Sequence, residues 1–200
     1  MLKNTMAWNI LPKHIELGIE MTYEEFEKHM AEKYPRYFGE GKRYGGFAIG
    51  EGWYPIIEAL VAQIDHYTKW KRNQRAYELK RQRAKKRGVD GVLKFMVKAG
   101  RTPSDWDIEN AENIMNSEQT IPPKVEWIRV AQIKEKFGGL RFYYDGGDGH
   151  ISGMVTMAES WAHRTCETCG NKGKSREGGW IRTLCDKHEA LYQVSKGNYT

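Results

Sequence analysis

The sequence predicts an α+β fold, mainly helical, with one long basic helix, a small antiparallel β-hairpin and a compact cysteine/histidine module at its C-terminal end. Three observations carry this reading. Apolar residues recur at helical spacing in several segments. Two runs rich in β-branched and aromatic residues are separated by Gly138-Gly139. All three cysteines fall between Cys166 and Cys185.

A chain of 200 residues can build one good core, or one core with a small appended module. Its 29% charged and 40% hydrophobic residues, with seven Trp and eleven Tyr, exclude wholesale disorder. There is no apolar run of about 18 residues, and the segment from Met1-Leu2-Lys3 lacks the apolar stretch of a secretory signal. A soluble, cytoplasmic protein without membrane association is therefore expected. Three cysteines cannot pair completely, so a disulfide framework is disfavoured.

The elements follow in order. Thr22 and Glu25 form a capping box for a helix with Phe26 and Met30 inward, ending before Pro35. The glycine-rich stretch Gly39 to Gly52 reads as an ordered loop with strand-like pieces. Pro55 suits a first helical turn, and Ile57, Leu60, Val61 and Ile64 form a core-facing stripe. Nothing breaks this helix before Gly88, so it is expected over about 54–87. Its second half is almost wholly polar, which predicts a rod projecting into solvent. Gly88 to Gly91 should turn the chain into a short helix from Val92. Thr102-Pro103-Ser104-Asp105 predicts the N-terminus of a helix reaching about Asn116. The hairpin is expected from Val125 to Tyr144, then a helix from His150 to His163 and a last one from Asp186 to Val194. The expected division is 1–160 for the α+β domain and 161–200 for the module.

That module carries the most specific chemistry. Cys166-x2-Cys169 and, fifteen residues on, Cys185-x2-His188 are two ligand pairs of the spacing that holds one ion. The spacing resembles zinc-ribbon and treble-clef modules, in which a knuckle and a helix N-terminus each supply two ligands. Four protein ligands leave no open coordination position, so the expected Zn2+ is structural and not hydrolytic. His150 and His163 are the substitutes should His188 not ligate.

Net charge is +6, and the basicity is local. Between Lys69 and Arg87 lie ten basic residues, Lys69, Lys71, Arg72, Arg75, Lys80, Arg81, Arg83, Lys85, Lys86 and Arg87, against one acid, Glu78. Such a run can neutralise phosphates, with Trp70 and Tyr77 placed to stack on bases. The cations fall on all sides of the helix, which suits a protein-contacting arm or a solvated rod equally well. Membrane binding is disfavoured because the apolar face is missing.

Weaker candidates are the segment Lys134 to Tyr144 as an RNA-reading strand, the glycine-rich loop before Pro55 as an anion site, and Asp145, Asp148, His150, Glu159 and His163 as a nuclease centre. The strand departs from the aromatic RNA-recognition order and reads better as a hairpin with one buried face. The loop lacks the Gly-Lys-Ser/Thr ending of a phosphate loop. The Asp-Gly repeats are turn formers first.

The combination of Lys134-Glu135-Lys136-Phe137-Gly138-Gly139-Leu140-Arg141-Phe142-Tyr143, the Ala158-Glu159-Ser160 helix and the Cys/His module resembles a group of uncharacterised bacteriophage and prophage proteins. The likeness covers about 125–190, with an echo at Gly50-Glu51-Gly52-Trp53-Tyr54. It implies a phage context, hence the host cytoplasm, and a zinc module. It carries no catalytic residue across. The function expected is that of a non-enzymatic, zinc-stabilised accessory protein that binds nucleic acid through the basic helix. The alternatives are an inhibitor or adaptor of a host protein complex, such as a defence complex, and a zinc-stapled nuclease.

Overall fold

The computed structural model of the protein describes residues 21–41 and 44–197. Helix α1 spans Tyr23–Lys33, and the Thr22/Glu25 capping box closes in both directions. Tyr34 ends it, and Pro35, whose ring suits a first turn, starts a short helix α2, Pro35–Phe38, just before the glycine-rich stretch. Strand β1, Phe47–Ala48, and a 3-10 turn, Glu51–Trp53, follow. The long helix α3 runs over Tyr54–Lys85 with Pro55 in its first turn. Helices α4, Gly88–Met96, and α5, Asp105–Asn116, come next. Strands β2, Arg129–Lys136, and β3, Gly139–Asp145, precede helix α6, Gly149–Ala162. Strands β4, Lys174–Arg176, and β5, Arg182–Leu184, lead to helix α7, Asp186–Gly197.

Helix boundaries moved where a stronger local signal won. The N-cap of α5 is Ser104, not Thr102, because Ser104 and Asp107 exchange side-chain and backbone bonds as a capping box. The chain turns at Lys86-Arg87, so α4 begins at Gly88. The hairpin turns on Phe137 and Gly138, with φ of 54° and 72°. Positive φ at both central residues matches the right-handed twist of the flanking strands. Gly139 thereby becomes the first residue of β3 and pairs with Lys136.

The sheet order is β1-β2-β3, with β1 parallel to β2 and β3 antiparallel to it. Strands β4 and β5 form a separate antiparallel ribbon. The chain divides into two compact units, one holding the described residues up to Asp65 with those from Glu126 on, the other His66–Val125. This differs from the expected boundary after residue 160, since the Cys/His module shares the first unit with the sheet.

In the first unit, Phe26, Trp53, Ile57, Ile64, Ile133, Leu140 and Ile151 are almost fully buried. Phe26 stacks on Tyr54 with ring centroids 4.0 Å apart and meets Phe47 edge-on at 5.0 Å. In the second unit Ala84, Val92 and Ala111 form the centre, flanked by Leu93, Phe95, Met96, Ile114 and Met115. The polar half of α3 is therefore not a bare rod. Glu78, Arg81 and Ala84 are buried, because Arg81 is bonded to Glu78, Gln119 and Ser117 and the segment after α5 lies along the helix.

Candidate metal centre

The two ligand pairs are delivered by different kinds of backbone. Cys166 and Cys169 sit on a tight knuckle closed by Gly170 N–H donating to Cys166 C=O at 2.9 Å, with Gly170 at φ 73°. Cys185 follows β5, and His188 lies in the first turn of α7, where Glu189 N–H donates to Cys185 C=O. The β4–β5 ribbon sets the distance between the pairs. Arg176 fastens it, donating to Leu184 C=O and to Asp186 Oδ1 at 2.6 Å.

All four ligand atoms lie within 4.8 Å of one another. Cys169 Sγ and Cys185 Sγ are 3.8 Å apart, while His188 Nδ1 is 3.6 Å from Cys166 Sγ and 3.3 Å from Cys185 Sγ. Among the described residues this is the group that could hold a metal ion, and it consists of the four residues read from the spacing. His150 and His163 lie outside it. All three cysteines are free thiols.

The electrostatics suit a cation. Burial opposes ionisation of the Cys166 thiol, but the backbone N–H groups of Cys185, Cys169 and Thr168 outweigh it and bring the thiol down to about 6. Cys169 moves the other way, pushed up by burial and by the neighbouring Cys166 and Cys185 sulfurs, although Asn171 opposes this. Three thiolates crowded together repel one another, and a bound cation removes that penalty. Asn171 Nδ2 also donates toward Cys169 Sγ at 3.4 Å, a supporting contact of the kind that orients a ligand.

Compared with protein families, curated proteins and solved structures, the chain matches none. The site is therefore argued from its own geometry.

Spacing alone did not reveal what the knuckle rests on. Gly52 N–H donates to Glu167 C=O at 2.9 Å, and the buried Trp53 Nε1 donates to Thr165 C=O at 2.8 Å. A Cβ on Gly52 would stand 2.2 Å from Cys166 O and 2.4 Å from Gly170 N; one on Gly50 would stand 2.1 Å from Glu167 O. The Gly-Glu-Gly-Trp segment is glycine-rich because its backbone lies directly on the knuckle. Gly52 N–H is thereby committed to Glu167 and is not available to an anion.

The remaining candidates resolve as follows. Asp148 caps α6, accepting from His150 and Ile151 N–H. Glu159 accepts from Phe142 N–H at 2.9 Å, and His163 packs its ring against Gly139. Asp148 thus serves a helix end and Glu159 a strand edge. In the hairpin Leu140 and Phe142 are buried while Phe137 and Tyr143 are exposed, as a one-faced sheet requires.

The basic run splits into two sets. Arg72 donates to Val125 C=O, Arg75 to Pro122 C=O and Lys85 to Ser117 C=O. With Arg81 they hold the 117–125 segment against α3. Lys69, Lys80, Arg83, Lys86 and Arg87 are exposed, and Lys71 is half-buried beside the Trp70 ring at 5.6 Å.

Proposed function

We propose that the protein is a non-enzymatic nucleic-acid-binding protein whose Cys/His centre holds a structural zinc and whose contact surface is the outward face of α3. The observation that carries it is the sorting of the basic run. At about 100° per residue, Lys69, Lys80 and Arg83 fall within roughly 60° of arc and span about 21 Å along the helix. Trp70 and Tyr77, 49% and 55% exposed, flank that stripe on one side. A row of cations beside two half-exposed rings suits a strand whose phosphates follow the row and whose bases stack. A phage accessory role agrees with the resemblance noted above.

Zinc is favoured by the donor set and by distance. Bonds of about 2.3 Å to sulfur and 2.0 Å to nitrogen, arranged tetrahedrally, put sulfurs about 3.8 Å apart and sulfur about 3.5 Å from nitrogen. The observed 3.8, 3.6 and 3.3 Å fit. Cys166, Cys169, Cys185 and His188 would fill all four positions, leaving none for a reacting water.

Anisotropy titrations of labelled single and double strands, at several salt concentrations, test the proposal. Three phosphate contacts predict a slope of log K against log salt of about −2 on a single strand and about −3 on a duplex. Replacing Lys69, Lys80 and Arg83 together by glutamate should abolish binding in a chain that still folds by circular dichroism. A slope near zero, or a triple variant that binds as before, overturns the assignment. Retention of a discrete protein partner at high salt, with no nucleic-acid binding, would instead support the inhibitor reading.

A further inference from the structure

The three sulfurs of the metal centre are not equally reachable. Cys166 is fully buried, at 0% exposure. Its N–H donates to Asn171 C=O at 2.7 Å, and a Cβ on Gly173 would stand 2.6 Å from Cys166 N, so the backbone closes over it. Cys169 is exposed and Cys185 half-buried. The sulfurs of these two lie 3.8 Å apart, whereas Cys166 Sγ has His188 Nδ1 beside it at 3.6 Å. A disulfide holds its sulfurs about 2.05 Å apart, so each must move by about 1 Å, which a modest side-chain rotation supplies. Cys169 and Cys185 stand on separate stretches of chain, the knuckle and the start of α7, with fifteen residues between them.

We propose that Cys169 and Cys185 form a peroxide-sensitive pair, whose oxidation to a disulfide releases the metal and keeps the knuckle tied to the start of α7. The release rests on the zinc reading given above; the choice of pair rests on exposure and spacing alone. A cation in the centre keeps all three sulfurs as thiolates, so access decides which is oxidised first. Peroxide reaches Cys169 from solvent. The Cys169 thiolate attacks one peroxide oxygen, the O–O bond breaks, a sulfenic acid forms and hydroxide leaves. The Cys185 thiolate then attacks the Cys169 sulfur: the S–S bond forms, the S–O bond breaks and a second hydroxide leaves. Two thiolates have given up two electrons, and one peroxide has become two hydroxide ions. Cys166 and His188 remain, two ligands where a tetrahedral zinc takes four, so the ion is no longer held. The new bond joins the same two segments that the metal joined, and it restrains the unfolded chain by closing the loop between them. Oxidation therefore exchanges one crosslink for another, and a dithiol reverses it by attack at the exposed Cys169 sulfur.

The test treats the full chain as purified with hydrogen peroxide in slight excess. A chromophoric chelator reads released zinc, and peptide mapping without reduction, by mass spectrometry, identifies the bond formed. One zinc per chain should be released as a Cys169–Cys185 disulfide accumulates, with Cys166 recovered as a thiol. Dithiothreitol should restore metal uptake, and the oxidised chain should melt at a higher temperature than the reduced chain stripped by chelator. A chain that holds no zinc before peroxide is added refutes the metal reading, and the peptide map of the same sample still decides the pair. A disulfide that includes Cys166, oxidation that ends in sulfinic acid without a disulfide, metal retained once the disulfide has formed, or an oxidised chain that melts no higher than the stripped one overturns the proposal.

Discussion

Replacing Gly52 by alanine tests whether the metal knuckle and the rest of the first unit are one structure. The added methyl would meet three backbone atoms of the knuckle, Cys166 O at 2.2 Å, Gly170 N at 2.4 Å and Cys169 N at 2.8 Å. No side-chain rotation can relieve these contacts, so the two segments must separate by roughly 1 Å, weakening the Gly52–Glu167 bond beside them. Overpacking of this kind costs about 1–3 kcal/mol, and three backbone contacts place the cost near about 3 kcal/mol. For a unit of this size that corresponds to a melting temperature lowered by about 10 °C. Because a metal that binds only the intact knuckle must offset the same strain, its affinity should fall by about 100-fold. Thermal melting by circular dichroism and competition against a chromophoric chelator read the two effects. Gly149→Ala, whose Cβ meets nothing within 4 Å, is the control. A Gly52→Ala protein that melts and holds metal like the unaltered chain would refute the argument that the Gly-Glu-Gly-Trp segment supports the site.

Other outcomes follow from the same geometry. Chelation should lower the melting temperature and release one zinc per chain by elemental analysis, and a chain that melts identically with and without metal would show that the centre is not structural. His188→Cys should keep the metal, since a thiolate also suits a tetrahedral zinc site, whereas Cys185→Ala should lose it. Trp53→Phe removes the buried bond to Thr165 C=O and should cost about 1–2 kcal/mol in denaturant unfolding. The Arg101 guanidinium, followed by the Ser104 hydrogen bonds, holds the Asp107 carboxyl well below the usual carboxylate range. Because this folded value is depressed, its stabilisation is present above about pH 4, the ordinary carboxylate value, and is lost as pH falls toward the lower folded value. Melting followed from pH 6 downward should therefore fall less steeply for Asp107→Asn than for the unaltered chain. Trp70→Ala should weaken single-strand binding by about 1–3 kcal/mol and spare duplex binding, a difference that anisotropy resolves.

How far the chain could be read depended on whether the deciding residues are neighbours in sequence. The Thr22/Glu25 box, Pro55 and the spacing from Ile57 to Ile64 each act within a turn of helix, so α1 and α3 were legible from local pattern. The same holds for the four metal ligands, because each pair lies on one turn and the residue types themselves specify soft-metal chemistry. Where two local signals competed, the reading slipped. Thr102 and Ser104 both offered a hydroxyl cap three residues before an acid, Asp105 and Asp107, and only the Ser104–Asp107 pair closes as a box. The Phe137-Gly138 turn was hidden because a phenylalanine with positive φ runs against its usual preference.

By itself the sequence determined the longer helical segments, the hairpin, the Cys3His cluster and the concentration of cations between Lys69 and Arg87, all of which rest on contacts a few residues apart. Only the tertiary structure decided which cations point outward, since Arg72, Arg75, Arg81 and Lys85 are occupied by a segment more than thirty residues away. It also decided that Gly50, Gly52 and Trp53 seat a knuckle more than a hundred positions later, and that Glu167 pairs with Arg182 from the ribbon. The physical reason is common to all three. Periodicity and spacing report how a residue relates to its own turn of chain, whereas the partner of a buried backbone group or a charge is chosen by packing between distant segments.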